Sequence, residues 1–339
     1  MKILYGVQAT GNGHITRARA MLPALTRAGI EVDFVFSGRP SQDLFDMDRF
    51  GNYRCFSGFT FKTDQGKVQA LQTLMNTQPL QFLRDVRALD VSHYDLVLTD
   101  FEPVSAWAAK RQKRLCVGLA HQYALKYKVP GTQSAPWLTL SLSAFAPATH
   151  YLGIHWQAFN APILPPLISP LPCAPHEAEP SMILVYLPFE DTSQVVSWLQ
   201  GCPEQYFRVY TQVDYPLYYK NVHLVPLSRT QFPLDLVASQ GVICNSGFGL
   251  CSEALVAGKK ILTKPLKGQI EQICNAKALV QMQKGTLLTR FDPNELLEWL
   301  KQPSATPMAF PPVADAIAAW LASGCEEPVA GFVESVWDT

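Results

Sequence analysis

The sequence predicts an α/β chain built as two Rossmann-like domains that face each other across a cleft. Short β-branched or apolar runs alternate with amphipathic helical stretches through both halves, the pattern of a parallel sheet flanked by helices. A proline-rich run, residues 161–180 with seven Pro, separates the halves. The length of 339 residues, at roughly 150 per domain, gives each half enough chain to bury its own core. With 48% hydrophobic and 17% charged residues, the composition excludes disorder as the main state.

In the first half the apolar runs predict strands at Lys2–Val7, Val32–Ser37, Leu96–Thr99 and Leu115–Leu119, with helices at His14–Ala28 and Pro103–Lys113 between them. Residues 161–180, which include Pro165-Pro166, are expected to form neither a helix nor a central strand, because proline fixes φ and lacks a backbone donor. The pattern then restarts. Strands are expected at Met182–Leu187, Phe207–Tyr210, Val222–Val225, Val242–Cys244 and Lys260–Thr263, and helices at Thr192–Gln200, Phe248–Ala257, Ile270–Gln283 and Asn294–Lys301. The expected divisions are a first domain over residues 1–160, a linker over 161–180, a second domain over 181–312 and a helical tail over 313–339.

Lys+Arg and Asp+Glu both number 28, and so even a balance argues against nucleic acid as a partner. It hides an asymmetry, since residues 1–130 carry 17 basic and 11 acidic side chains, formally +6, and the remainder is formally −6. Lys110-Arg111-Gln112-Lys113-Arg114 and Lys126-Tyr127-Lys128 are the basic clusters; they suit a phosphorylated or lipid-linked ligand or weak peripheral membrane contact, or form a merely solvated face. The eight Cys include no C-x-x-C pair and read as reduced, mostly buried thiols. No apolar stretch reaches the roughly 18 to 20 residues that span a bilayer, so a cytoplasmic location is expected, with the inner membrane face as the site of any peripheral contact.

Strand Lys2–Val7 runs through Gln8-Ala9-Thr10-Gly11-Asn12-Gly13-His14 into a helix. Gly11 and Gly13 permit a tight turn, and a helix amino terminus offers N–H groups to an anion. Thr16 stands where a dinucleotide fingerprint has its third glycine, so the loop reads as an anion site or as a strand-to-helix turn only. His14 would sit at the helix start and suits a general base, or a plain surface histidine. Asp100 ends strand Leu96–Thr99 and could orient that imidazole. Glu102, His121 and Gln122 hold neighbouring strand-end positions, where they serve the same site or only line a loop.

The second glycine loop, Asn245-Ser246-Gly247-Phe248-Gly249, follows strand Val242–Cys244 and opens another helix. The N–H groups of residues 247–250 suit a diphosphate held without metal. Glu253 lies about 9 Å further along the axis, which fits a carboxylate on both ribose hydroxyls of a nucleotide. Glu271, Gln272 and Asn275, in the first turns of the next helix, are ordinary helix-start residues or readers of sugar hydroxyls. Asp46-Met47-Asp48 spells the D-x-D of metal-dependent transferases, but reads as a solvated pair away from any strand end.

Asn245-Ser246-Gly247-Phe248-Gly249-Leu250-Cys251-Ser252-Glu253-Ala254, with Gly258, Pro265 and Glu271-Gln272-Ile273-Cys274-Asn275-Ala276, resembles the donor signature of GT-B glycosyltransferases of the family 28 type. That group includes the peptidoglycan N-acetylglucosaminyltransferase and the galactolipid synthases. Gly11-Asn12-Gly13-His14 resembles the acceptor-side loop of the same enzymes, and Asp100-Phe101-Glu102-Pro103 looks typical of uncharacterised bacterial and archaeal glycosyltransferase-like proteins. The family loop often has Gly-Gly before the histidine where this chain has Asn12-Gly13, and Glu271 stands where Gln is frequent.

The resemblance implies inverting, metal-independent transfer from a UDP-sugar to a hydroxyl acceptor, with no bound cofactor. It puts Ser246, Gly247 and the N–H of Leu250 at the diphosphate, Glu253 at the ribose, Leu227 near the uracil, and Gln272 and Asn275 at the donor sugar; Phe248, Gly249 and Glu271, within the same two segments, are expected at the donor site with them. On the acceptor side the resemblance covers Gly11, Asn12, Gly13 and the histidine His14; by their strand-end positions Glu102, His121 and Gln122 are expected at the same site, with His14 as base and Asp100 orienting it. Two other readings remain open. A UDP-sugar 2-epimerase would turn the donor over without an acceptor, and a non-catalytic nucleotide-sugar binder would bind without turnover.

Overall fold

The computed structural model describes residues 1–44, 46–58, 63–64, 67–68, 79–172 and 182–339. The chain divides into two compact units: Met1–Lys62, Gln69–Ser169 and Phe310–Thr339 in unit 1, and Thr63–Val68 and Pro170–Ala309 in unit 2. Of the expected linker, residues 173–180 lie outside the described residues.

In unit 1 the elements are β1 (Lys2–Gln8), α1 (Asn12–Arg27), β2 (Glu31–Ser37), β3 (Tyr53–Phe56), a hairpin of β4 (Thr63–Asp64) with β5 (Lys67–Val68) that is counted with unit 2, α2 (Pro79–Ala88), β6 (Leu96–Asp100), α3 (Pro103–Arg111), β7 (Cys116–Ala120), α4 (His121–Ala124), α5 (Leu138–Phe145), β8 (His150–Ile154) and β9 (Ile163–Leu164). The sheet order is β3-β2-β1-β6-β7-β8-β9, all parallel. Strands β6 and β7 are buried along their whole length, as expected where helices cover both faces, so their residues read as unbroken apolar runs. The sheet core gathers Leu4, Val35, Val97, Val104 and Cys116; each fully buried aliphatic side chain contributes about 1.5–3 kcal/mol. The expected linker starts inside this unit, because Ile163–Leu164 pairs with Gly153–Ile154 as an edge strand.

Unit 2 runs β10 (Met182–Tyr186), α6 (Thr192–Leu199), β11 (Tyr206–Thr211), β12 (Leu217–Tyr219), β13 (Val222–Pro226), α7 (Gln231–Ala238), β14 (Gly241–Cys244), α8 (Phe248–Val256), β15 (Lys260–Thr263), α9 (Ile270–Gln281), β16 (Thr286–Leu287) and α10 (Pro293–Leu300). Its order is β12-β13-β11-β10-β14-β15-β16, with only β12 antiparallel. Helix starts follow local chemistry: Asp191 accepts from Gln194 N, Gln269 from Gln272 N, and Asp292 from Asn294 N with Pro293 in the first turn. The tail forms α11 (Val313–Ala322) and α12 (Val329–Trp337), both part of unit 1. The seven described cysteines are free thiols.

In both sheets the chain starts in the middle, winds outward to one edge, then returns to build the other half. Order therefore reverses between β1 and β6 in unit 1 and between β10 and β14 in unit 2. Loops leave such neighbouring strands in opposite directions, which opens a crevice at the carboxyl ends. Both glycine loops lie at these reversals.

Candidate functional site

In unit 1 the reversal brings the end of β1 beside the end of β6, with Val7 paired to Asp100. Gly11 then caps α1 in extended backbone, without a side-chain cap and with no acidic residue in the first turn, so the helix end keeps donors and a positive dipole for an anion. His14 follows within that turn. Its Nδ1 lies 2.7 Å from Asp100 Oδ1. The Gln122 amide nitrogen, from α4, is 3.5 Å from His14 Nε2. A donor on the Nε2 side and a carboxylate on the Nδ1 side favour the tautomer with Nδ1–H donating to Asp100, leaving the Nε2 lone pair to accept a proton.

Asp100 is fully buried. Burial alone would raise its pKa, but the charges and hydrogen bonds of Arg17 and His14 outweigh that, and the net direction is down. Arg17 Nε donates to Oδ2 at 2.7 Å and Nη2 donates to Oδ1. Sequence reasoning passed over Arg17, although it stands three residues after His14 on a helix and so on the same face.

Glu102 is turned away from this group. It caps α3, accepting from Val104 N at 2.8 Å and Ser105 N at 2.6 Å, and takes a 2.6 Å hydrogen bond from Ser37 Oγ. Burial raises its pKa against those donors. The turn between Asp100 and Glu102 passes through Phe101 in the left-handed region, φ 53°, a costly conformation for a non-glycine residue. It sends the two carboxylates to different tasks. His121 is also buried, its Nδ1 2.9 Å from Ile154 O. Asn12 Oδ1 accepts from Arg39, while a methyl added at Gly11 or Gly13 would meet nothing within 4 Å.

In unit 2 the second loop leaves β14 beside β10, with Cys244 paired to Tyr186. Gly247 caps α8 with no side-chain cap and no acid in the first turn. Space stands open at Gly247 and Gly249, with nothing within 4 Å. Ser246 Oγ meets Thr263 Oγ1 at 2.6 Å, and Asn275 Nδ2 donates to Ser246 O at 2.9 Å. Gln272 Oε1 accepts from Leu266 N at 2.8 Å. Gln272 and Asn275, both buried, are thus bonded to the backbone of the loops on either side, each through one atom of an amide that has both donors and an acceptor.

Glu253 sits on α8, half-buried, and burial pushes its carboxyl up to about 7. Leu227, after β13, is exposed, and Glu271 is half-buried at the start of α9. Two further residues escaped sequence reasoning. Glu190, after β10, pairs with Lys264, after β15, at 2.8 Å, and reaches Asn245 Nδ2 at 3.4 Å. Asp46 and Asp48 are both exposed, with Met47 buried between them.

The profile of the family described as Glycosyl transferase family 1 matches residues 1–303. No curated protein matches. The chain is similar to the solved structure of MurG from Acinetobacter baumannii, at 14% identity and TM-score 0.56, over 100% of this chain and 99% of that one. It is similar to LpCGTa in complex with UDP, at 14% identity and TM-score 0.62, covering 99% and 98%. A third likeness is to the glycosyltransferase VinC in complex with DTDP, at 14% identity and TM-score 0.57, covering 99% and 96%. These likenesses bear on the fold, two Rossmann-like units of the GT-B kind. With a family match over most of its length, the chain belongs to glycosyl transferase family 1 and is a glycosyltransferase.

Proposed function

We propose that this glycosyltransferase is of the family 28 type and moves a hexosyl or N-acetylhexosaminyl group from a UDP-sugar to an acceptor hydroxyl, inverting the anomeric centre without a metal. The observation that carries the reading is the 2.7 Å contact between His14 Nδ1 and Asp100 Oδ1 at the reversal of the first sheet. His14 Nε2 takes the proton from the acceptor hydroxyl. As the acceptor oxygen bonds to the anomeric carbon, the bond from that carbon to the β-phosphate oxygen breaks, and UDP leaves with the electron pair. Attack from the opposite face inverts the centre.

On the donor side, the uncapped start of α8 supplies N–H groups for the diphosphate and for the charge that grows on it as the bond breaks. The open space at Gly247 and Gly249 lets phosphate oxygens approach the backbone. Glu253 accepts both ribose hydroxyls in its ionised form, Leu227 lies near the uracil, and Glu271 meets the donor sugar. Gln272 and Asn275, which also brace the neighbouring loops, meet donor sugar hydroxyls. The likeness to proteins solved with UDP and with DTDP supports a nucleoside diphosphate donor. Exposed Lys110, Arg111 and Lys113 on α3 and its exit support a phosphorylated or lipid-linked acceptor.

Melting-temperature shifts across UDP, dTDP and their sugars, followed by product analysis with an acceptor panel, test this. UDP is expected to stabilise the chain most, because ligand bound to the native state raises stability by mass action. His14→Ala is expected to bind UDP unchanged and lose turnover by about 100-fold or more. Full turnover in His14→Ala would remove the base, and donor conversion without acceptor would make the enzyme an epimerase. Complete loss of turnover with a chelator would end the metal-free reading.

A further inference from the structure

Arg17 is buried beside the catalytic pair. It forks onto Asp100 through Nε and Nη2, and the same Nη2 lies 2.9 Å from His14 Nδ1. A carboxylate that only had to orient the imidazole would not need a guanidinium on both oxygens. Alone, a buried anion 2.7 Å from Nδ1 favours the imidazolium strongly, since an opposite charge at this range shifts a titration by about 1–3 units. A histidine held as imidazolium cannot accept a proton. With Arg17 in place the Arg17–Asp100 pair carries no net charge. Orientation is kept, and the pull toward the charged form is offset.

We propose that Arg17 is a positioning residue that neutralises Asp100 so that His14 remains an uncharged, proton-accepting imidazole at neutral pH. The inference rests on the reading of His14 as the base. Among the described residues, the groups facing His14 come from several elements. From α1 there is Arg17, from β6 Asp100, and from α4 the uncharged Gln122. From β1, Tyr5 presents a buried hydroxyl with no hydrogen-bond partner; it lies within the field of Asp100 and Arg17, and burial first, then Asp100, hold its proton on. Tyr5 therefore contributes a dipole and no charge. From the tail, α11 meets α1 through Asp315 and Arg27, about 20 Å along the helix from His14.

The test is a titration of His14 by NMR on the full chain with labelled histidine, its resonance assigned by loss in His14→Gln. Arg17→Gln is expected to raise the His14 midpoint by about one unit or more, and Arg17→Lys, which keeps the charge, to leave it within a few tenths. An unchanged or lowered midpoint in folded Arg17→Gln overturns the proposal. Should that variant fail to fold, Asp100→Asn and Asp100→Asn with Arg17→Gln supply the comparison. There the lone cation should hold the midpoint down, and its removal should raise it by about a unit; no difference between the two refutes the assignment. Turnover of His14→Ala separates the two claims. If it stays high, the base reading fails while the titration still judges Arg17; if it is lost and the midpoint does not move, only Arg17 is misassigned.

Discussion

Asp100 sits on the last residue of a buried parallel strand, where a carboxylate would be unfavourable without partners, and it has Arg17 on both oxygens and His14 on one. Breaking such a set by removing one charge costs more than the set itself contributes. Asp100→Asn is expected to lower turnover by about 100-fold or more while UDP-induced stabilisation stays the same, as read by kinetics and melting in parallel. Glu253 gives a pH signature. Its carboxyl is raised from 4.5 to about 7, so the native state binds more protons than the unfolded chain in that window, and stability falls as pH rises through it. Glu253→Gln should raise the unfolding free energy of the nucleotide-free protein at pH 8, by up to about 3 kcal/mol, and leave it unchanged near pH 4.5, as denaturant melts at the two pH values would read. On the proposed role, in which the ionised form accepts the ribose hydroxyls, UDP affinity should fall more steeply below about pH 7 in the wild type than in Glu253→Gln, which keeps only the dependence due to the terminal phosphate of UDP itself; calorimetric titration of both at pH 6 and 8 decides this. His14 and Asp100 were legible because strand ends can be read from apolar runs. Glu102, Gln272 and Asn275 were harder, since a polar residue beside a helix start can cap, bind or do both, and their bonds to neighbouring backbone form only in the fold.

At the scale of the element, the glycines separate packing from ligand space. A methyl on Gly6 would stand 1.9 Å from Ser105 Oγ and 2.9 Å from Glu102 Oε2, because the capped start of α3 packs directly on β1. Gly6→Ala is expected to destabilise the fold by about 1–3 kcal/mol. Gly249, in the first turn of α8, meets nothing within 4 Å; Gly249→Ala should hold or raise stability, by up to about 1 kcal/mol, and still weaken UDP binding. Denaturant melts and UDP titrations of the two variants make the contrast. Long helices and central strands could be read from their periodicity to within a residue or two. Strand β8, His150–Ile154, could not, because His150 and Gly153 break its apolar run. Two-residue strands such as β9 and β16 have no periodicity to read. Helix α7 carries Pro233 in its first turn, where proline is tolerated but where a sequence reader sees a loop.

For the whole molecule, the alternation of strands and helices made the two Rossmann-like halves visible, and the neutral total charge concealed the basic first half. Among the described residues no helix is long and apolar enough to cross a membrane. If the exposed cations of α3 meet an anionic surface, sedimentation with acidic vesicles should fall with salt and be lost in a variant with Lys110, Arg111 and Lys113 changed to Glu. What periodicity could not show is where the tail belongs. Helices α11 and α12 bury Ile317, Trp320, Leu321, Phe332 and Val333, and Trp337 Nε1 donates to Ile163 O at 2.7 Å, so the last residues finish unit 1. Each buried side chain is worth about 1.5–3 kcal/mol, against about 5–15 for a domain. Deleting 310–339 should therefore abolish the calorimetric transition of unit 1 while UDP still binds unit 2.

The same arrangement sets an order of events on the ribosome. Residues 170–309 must be synthesised between the two parts of unit 1, a wait of about 10–30 s at ordinary elongation rates. Through that interval the flank of α1 and the edge at β9 stand without their cover, a target for chaperones. The half that is begun before unit 2 is thus the half that matures after it, and unit 2 can complete its fold while unit 1 still waits for residues 310–339.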